Sequence, residues 1–452
     1  MAKGRKPHDT QPPRQKAFLV GADIRSTEHR AKGQHLTLQA SMEELALLCD
    51  TAGLDVVGTM TQTLDTPNVS TYIGPGKVDE LVTWKESTGF EVVVFDDELS
   101  PRHQRELEEK LGDKVIVLDR TGLILDIFAQ HARTAEGSLQ VELAQYEYRL
   151  PRLTRQWTHL ARQAGGGAGR SGNGGVGLRG PGEKQLEIDR RRIREVISRL
   201  KKDLDKVREQ RATHRKQRKR SEAPVVAIVG YTNAGKSTLL NTLARADVLA
   251  ENKLFATLDP TTRQVRLPHG HTVLMTDTVG FIQKLPTQLV AAFRATLEEI
   301  VEADALLHVV DATHPNALEQ AETVMQTLSE LGAGNKQMVI ALNKADRLPG
   351  GPADPAGAVA ALNLPGVLSD GIGVSASKRL NLDALLAELE AVLFERMTPI
   401  TAVLPYRAGD LIALFRRSGV VDAEVPDEKT VTMTGRIPGR LLDVFLPYQP
   451  GA

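Results

Sequence analysis

Cysteine is almost missing from this chain of 452 residues. Because Cys49 stands alone, an intrachain disulfide is excluded, and the apolar stretch around it favours a buried thiol. Apolar runs near the roughly 20 residues that span a bilayer are missing too. Ala17-Phe-Leu-Val is too short for the apolar core of a signal peptide. We therefore expect a cytoplasmic protein with a disordered tail over residues 1–16 and no stable membrane association.

The chain also lacks net charge, because 57 basic residues balance 57 acidic ones. This balance conceals a strongly basic block. From Arg149 to Gly182 there are six arginines and no acid, and from Glu183 to Arg220 sixteen basic residues stand against seven acidic ones. The block carries fifteen net positive charges, which favours a polyanionic partner because phosphate contacts release counterions. A solvated helix face is the alternative, but it does not require so uneven a distribution.

The length of the chain predicts several domains. Over residues 17–135, short apolar runs such as Glu91-Val-Val-Val-Phe alternate with helical patterns. This alternation is typical of an α/β domain with a mostly parallel sheet. Residues 223–397 alternate in the same way, with strands apolar on both faces, which predicts a doubly wound sheet. The segment 398–452 reads as a small C-terminal α/β or β-rich domain.

Between the two α/β domains, residues 136–220 contain two helical patterns on either side of a glycine-rich stretch at 165–182. The simplest arrangement is an antiparallel helical hairpin with a glycine-rich tip, whose first helix is broken or kinked at Pro151. A flexible linker is the alternative. Arginines without neighbouring acids favour a ligand-binding tip. The arginines that we expect to bind RNA are Arg162, Arg170, Arg179, Arg190 and Arg191.

The segment from Gly230 to Ser237 has the spacing of a phosphate-binding loop, and it lies between a buried strand and a helical pattern. Glycines let successive N–H groups surround phosphates, Lys236 reaches the β and γ oxygens, and the Ser237 hydroxyl ligates Mg²⁺. The residues expected to bind nucleotide here are Gly230, Tyr231, Thr232, Asn233, Ala234, Gly235, Lys236, Ser237 and Thr238.

The strand Thr272-Val-Leu-Met-Thr leads into a second nucleotide motif. The Asp277 carboxylate can reach the magnesium shell through water, and the Gly280 amide can meet a γ-phosphate. The full motif is Asp277, Thr278, Val279 and Gly280. The polar segment 254–263 between the two motifs is expected to be a mobile loop, in which the hydroxyl of Thr257, Thr261 or Thr262 completes the metal shell.

Specificity for the base is predicted by Asn343-Lys-Ala-Asp346, which follows an apolar strand. A carboxylate at Asp346 accepts hydrogen bonds from N1–H and the exocyclic amine of guanine, and adenine has no such pair of donors. Lys344 can lie along the purine. Ser375 and Ala376, after the last strand, can offer a backbone N–H to the guanine carbonyl. The predicted ligands are therefore GTP and GDP.

The hydrolytic machinery is less complete. Phe281 occupies the position where a Ras-type site has a glutamine that orients the attacking water. An apolar side chain cannot orient water, so we predict slow intrinsic turnover that a partner accelerates. Gln283 is nearby, but we expect it to be solvated.

With these motifs, the chain resembles the HflX family of translational GTPases over about residues 17–400. Besides the GTPase motifs, the resemblance rests on Tyr72-Ile-Gly-Pro-Gly-Lys, Asp119-Arg-Thr-Gly-Leu-Ile-Leu-Asp, Leu139-Gln-Val-Glu-Leu-Ala-Gln, Arg179-Gly-Pro-Gly-Glu and Gln185-Leu-Glu-Ile-Asp-Arg-Arg. It implies that Phe255, Ala256 and Thr257 belong to the first switch, with Thr257 on magnesium. Lys236, Thr257 and Gly280 are then the expected catalytic residues.

The resemblance also implies binding to the large ribosomal subunit and its rRNA, hydrolysis stimulated by ribosomes, and separation of stalled or idle ribosomes under stress. Some family members bind ATP through the N-terminal domain, for which this sequence shows no recognised motif. We expect a monomer that does not bind DNA. The alternative function is an RNA-binding GTPase that acts as an assembly chaperone for the large subunit.

Overall fold

The computed structural model describes residues 14–25, 37–112, 114–132, 134–153, 181–218, 223–244, 254–255, 261–284, 294–394 and 397–450. The chain divides into two compact units. The first unit contains residues 1–130, 141–201 and 286–289, and the second contains residues 131–140, 202–285 and 290–452.

The first unit contains a four-stranded sheet of order β2-β1-β3-β4, in which every pairing is parallel. Its strands are β1 (Lys16–Ile24), β2 (Asp55–Leu64), β3 (Val92–Phe95) and β4 (Ile116–Asp119). Its first four helices are α1 (Leu38–Thr51), α2 (Pro75–Thr88), α3 (Pro101–Leu111) and α4 (Arg120–His131). The predicted parallel α/β class is confirmed.

Local sequence explains where these helices begin. Pro75 and Pro101 occupy first-turn positions, where their missing N–H groups cost nothing. The Ser100 hydroxyl accepts the N–H of His103 at 3.2 Å and caps α3. Cys49 is fully buried in α1, as predicted, and burial raises the pKa of its thiol to about 12.

Two helices follow the sheet: α5 (Ala135–Arg149) and α6 (Pro181–Arg218). Helix α5 ends at Arg149, so of the two predicted effects of Pro151, a break or a kink, the structure has the break, because proline cannot continue the helical ladder. Helix α6 is 38 residues long and begins at Pro181, inside the stretch predicted as the tip. In the first unit a salt bridge of 2.8 Å joins Lys201 of α6 to Glu147 of α5. Residues 154–180, with Arg162, Arg170 and Arg179, lie outside the described residues.

The carboxyl end of β4 binds the end of α5 through a buried ionic cluster. The Asp119 carboxylate accepts hydrogen bonds from the Tyr148 hydroxyl at 2.8 Å and from Arg152 at 3.2 Å. Arg152 also donates to the Leu99 carbonyl at 2.7 Å, and its guanidinium lies 3.8 Å from the centre of the Tyr148 ring. The cluster therefore ties the end of α5 to the sheet.

Arg152→Ala should destabilise the first unit, because it leaves the buried Asp119 carboxylate without its cation. The expected loss is about 3–5 kcal/mol in the free energy of opening of β3 and β4. Hydrogen exchange of the amides in these strands, followed by mass spectrometry, measures it.

Arg105→Ala is the matched control, since Arg105 forms an exposed i,i+4 salt bridge with Glu109 on α3. Such a pair contributes at most about 0.5 kcal/mol. If the two variants exchange at equal rates, the Asp119–Arg152 pair does not stabilise the sheet.

The second unit contains a six-stranded sheet of order β10-β9-β8-β5-β7-β6. Its strands are β5 (Val225–Val229), β6 (Thr261–Arg266), β7 (Thr272–Asp277), β8 (Ala305–Asp311), β9 (Met338–Asn343) and β10 (Ile372–Gly373). Its helices are α7 (Lys236–Leu243), α8 (Arg294–Glu302), α9 (Ala317–Glu330), α10 (Pro355–Ala360) and α11 (Leu382–Phe394). The predicted doubly wound P-loop class is confirmed.

Strand β6 corrects one expectation. It begins at Thr261, within the segment 254–263 that we predicted to be a mobile loop, and pairs antiparallel with β7. As an edge strand it exposes most of its side chains, and only Val265 is buried. The apolar run that would have identified it is therefore missing.

The C-terminal residues form a three-stranded antiparallel sheet of order β11-β13-β12. Its elements are β11 (Met397–Pro405), α12 (Gly409–Ser418), β12 (Val420–Pro426), β13 (Thr430–Pro438) and α13 (Leu442–Phe445). Phe415 and Phe445 meet edge to face in its core. This arrangement confirms the predicted small α/β or β-rich fold. Among the described helices, none is both long and apolar enough to cross a membrane.

Candidate nucleotide-binding site

The predicted phosphate-binding loop connects β5 to α7, and two of its positions accept only glycine. Gly230 and Gly235 have φ angles of +150° and +96°. A Cβ at Gly230 would lie 2.2 Å from the Val309 carbonyl oxygen, and one at Gly235 would lie 2.3 Å from the Asn343 amide nitrogen. These close approaches let the loop curl against the sheet with its N–H groups at the start of α7.

Lys236 lies across this loop. Its ammonium donates hydrogen bonds to the carbonyls of Gly230 at 3.1 Å and Tyr231 at 2.9 Å. Burial lowers the pKa of Lys236 to about 8, and the negative charge of Asp277 opposes this shift. A phosphate bound in the loop would stabilise the protonated form.

The second predicted motif lies beside the first. Asp277 ends β7 and is buried, and the Thr278 hydroxyl donates to the Ile228 carbonyl of β5 at 2.7 Å. Gly280 packs tightly, since a Cβ there would lie 2.9 Å from Thr232 Cα and 3.0 Å from Lys236 Nζ. The structure therefore brings Gly280 next to the lysine predicted to hold the β- and γ-phosphates.

The base-reading motif is tied to the phosphate-binding loop by one side chain. The Asn343 amide donates to the Ala234 carbonyl at 2.9 Å, and its carbonyl oxygen accepts the N–H of Ala376 at 3.0 Å. Segments that are more than 100 residues apart in sequence meet at this side chain. Ser375 and Ala376 are buried beside it.

The two charged residues of this motif differ in their contacts. Lys344 has a φ of +64° and forms a 2.7 Å salt bridge with Asp311. In the described part of the chain, Asp346 Oδ1 is buried without a hydrogen-bond partner. A buried carboxylate oxygen without a donor is costly, and the N–H groups of a guanine base could satisfy it.

Two predicted residues of the first switch, Ala256 and Thr257, lie outside the described residues. Phe255 is described, and it is buried with a φ of +56°. Val279 is buried, Asn233 is exposed, and Ser237 and Thr238 are half-buried in the first turn of α7.

The prediction that Gln283 is solvated is wrong. Gln283 is 3% exposed, as is Phe281 two residues before it. The backbone N–H of Gln283 donates to the Tyr231 hydroxyl at 2.9 Å. Motif spacing could not show this contact, because it joins the segments that follow two neighbouring strands, β5 and β7. The apolar pair Phe281-Ile282 was the one signal that this segment turns inward.

At the carboxyl edge of the first unit's sheet, the polar side chains pair with one another. The Ser41 hydroxyl donates to Asp96 at 2.7 Å, and Arg120 donates to Glu44 at 2.7 Å. The chain that follows β2 at this edge opens α2 with Gly74 and Gly76. ATP binding by this unit stays a prediction.

A phosphate-binding loop, a strand-end Asp-Thr-Val-Gly and an Asn-Lys-Ala-Asp segment, joined on one doubly wound sheet, define a P-loop GTPase. Family models support this class. They are described as GTP-binding GTPase N-terminal, matching residues 39–129, GTP-binding GTPase Middle Region, matching 131–218, and 50S ribosome-binding GTPase, matching 225–344.

The whole chain resembles proteins named GTPase HflX. That of Alkalihalophilus pseudofirmus is 45% identical over 411 residues, which cover 91% of this chain and 90% of that protein. That of Chlamydia pneumoniae is 42% identical over 443 residues, or 98% of this chain and 89% of that protein. The chain belongs to the HflX family of GTPases and is a GTP hydrolase.

Asp346→Asn should abolish most of the preference for guanine. The amide keeps one acceptor but turns an N–H toward the donors of the base, so we expect GDP affinity to fall at least about 100-fold. Xanthine nucleotides, which carry a carbonyl in place of the exocyclic amine, should gain affinity. Titration calorimetry with GDP and XDP measures both effects.

Asp354→Asn removes a carboxylate from the same unit, where Asp354 caps α10 by accepting the N–H of Gly357 at 2.9 Å. An asparagine keeps this cap, so GDP affinity should not change. Unaltered GDP affinity in Asp346→Asn would show that this carboxylate does not read the base.

Proposed function

We propose that this GTPase binds the large ribosomal subunit through its rRNA, separates stalled or idle ribosomes into subunits, and leaves after GTP hydrolysis. The carrying observation is α6, a 38-residue helix within the most basic block of the chain. The description of the matched family model, 50S ribosome-binding GTPase, supports the same target.

Helix α6 has a buried apolar side and an exposed charged side. Leu200 and Leu204 are buried, whereas Arg190 and Arg191 are exposed. The Arg191 side chain is 82% exposed and pairs along the helix surface with Glu195 at 3.1 Å. Exposed guanidinium groups on one rigid helix are suited to bidentate contacts with the phosphates of a folded RNA.

The nucleotide site suits GTP with magnesium. The Ser237 hydroxyl at the start of α7 and the Asp277 carboxylate at the end of β7 are hard oxygen donors of the kind that Mg²⁺ prefers. We assign Ser237 and Thr257 as its direct ligands and Asp277 as a contact through water. The bound ion would neutralise charge on the β- and γ-phosphates.

Three residues of the chain are assigned to the hydrolysis step. We assign Lys236 to stabilise negative charge on the transferred phosphoryl group, the Gly280 amide to donate to it, and Thr257 to act through the magnesium ion. Phe281 is buried and apolar, so it cannot orient the attacking water. We therefore expect slow turnover by the isolated protein, and we propose that ribosomes stimulate it by ordering the site.

Sedimentation of intact ribosomes mixed with the protein tests the proposal. With GTP or a non-hydrolysable analogue, we expect intact ribosomes to be converted to subunits, and with GDP we expect no conversion. The analogue should also keep the protein on the large subunit. Binding without conversion would contradict splitting and favour the assembly-chaperone alternative.

A charge-reversal pair tests the role of α6. Arg191→Glu should weaken binding to large subunits about three- to tenfold, with a larger effect at low salt, because a phosphate contact becomes a repulsion. Arg105→Glu is matched to it, since Arg105 also forms an exposed i,i+4 pair, with Glu109 on α3. Equal losses of binding in both variants would show that α6 is not part of the interface with the large subunit.

A further inference from the structure

The phosphate-binding loop is hydrogen-bonded directly to the segment that follows Gly280. Tyr231 and Phe281 form a parallel β-bridge beyond the ends of β5 and β7. The Thr232 N–H donates to the Phe281 carbonyl at 2.8 Å, and the Phe281 N–H donates to the Gly230 carbonyl at 3.1 Å. These backbone bonds hold the two segments side by side.

A side chain of the phosphate-binding loop adds a third bond. The Tyr231 hydroxyl accepts the N–H of Gln283 at 2.9 Å. Tyr231 and Gln283 are each 3% exposed, so water does not replace this bond easily when it breaks. The hydroxyl therefore fixes the chain three residues beyond Gly280 to the loop that precedes α7.

These bonds set the position of Gly280. It directly precedes Phe281, and it lies so close to the loop that an added Cβ would be 2.9 Å from Thr232 Cα and 3.0 Å from Lys236 Nζ. A shift of the segment that carries Phe281 and Gln283 would move Gly280 away from Lys236. Lys236 is itself fixed by its bonds to the carbonyls of Gly230 and Tyr231.

We propose that Tyr231 is a positioning residue for GTP recognition, whose hydroxyl holds the Gly280 segment beside Lys236 so that both can meet the γ-phosphate. The inference rests on the proposed assignment of Lys236 and Gly280 to the phosphates. GDP has no γ-phosphate, so the hydroxyl contributes to the preference for GTP over GDP and to hydrolysis, and not to the binding of GDP.

Tyr231→Phe removes only this hydroxyl. We expect the affinity for a non-hydrolysable GTP analogue to fall about three- to tenfold, as the loss of a buried hydrogen bond would produce, with GDP affinity within about twofold of the original. Single-turnover hydrolysis of GTP should slow by a similar factor. The readout is the dissociation constant of GDP divided by that of the analogue. A general loosening of the loop would weaken both nucleotides and leave this ratio unchanged.

Tyr406→Phe is the matched control. The Tyr406 hydroxyl also makes one backbone hydrogen bond, to the Asp427 carbonyl at 3.1 Å, within the C-terminal sheet region. This variant should keep the ratio unchanged. Gln283→Pro removes the backbone N–H that donates to Tyr231. It should therefore lower the ratio, as Tyr231→Phe does.

Several results would overturn the inference. Equal weakening of both nucleotides in Tyr231→Phe would make the hydroxyl a structural part of the loop, and unchanged or tighter binding of the analogue would remove its role. Lys236→Ala tests the underlying assignment separately: if it leaves the affinity for both nucleotides intact, the phosphates do not bind here. All assays use the full chain without ribosomes, so the outcome is independent of ribosome splitting.

Discussion

The nucleotide site depends on the carboxamide of Asn343. It donates to the Ala234 carbonyl in the phosphate-binding loop and accepts from the Ala376 N–H in the loop after β10. Because one planar group makes both bonds, the distance between the phosphate side and the base side of the pocket is set before a ligand arrives. Asp346, whose Oδ1 is buried without a hydrogen-bond partner among the described residues, lies three residues beyond Asn343, so the predicted acceptor for guanine follows directly on this fixed point.

The chain carries its two proposed tasks in different units. The second unit contains the GTPase site. The first unit contains much of the basic helix α6 and the part of α5 that pairs with it. The buried Asp119 carboxylate accepts hydrogen bonds from Tyr148 and Arg152, and also from the N–H groups of Leu99 and Gly122, so several bonds fix the end of α5 to the sheet. Glu147 of α5 pairs in turn with Lys201 of α6, so this fixed end of α5 is joined to the basic helix that we propose as the RNA contact.

Sequence alone predicted the parts whose chemistry is local. The glycines at 230 and 235 and the Asn343-Lys-Ala-Asp segment have fixed spacing because neighbouring backbone groups must meet one ligand, so the pattern is visible in the chain. Both predicted sheets were confirmed, because buried parallel strands are apolar on both faces. Strand β6 was missed since its edge position allows polar side chains. The Tyr231–Gln283 bond was missed because it is purely tertiary.

Asn343→Ala tests the central claim, that one carboxamide assembles the site, most directly. Titration calorimetry should show GDP affinity reduced by about 100-fold or more, because the Ala234 carbonyl and the Ala376 N–H lose their partner and the two sides of the pocket separate. The melting temperature without nucleotide should fall by only a few degrees, because each kcal/mol of lost stability lowers it by about 2–4 °C. GDP affinity within a few-fold of the original would contradict the account and show that the loops hold their positions without Asn343.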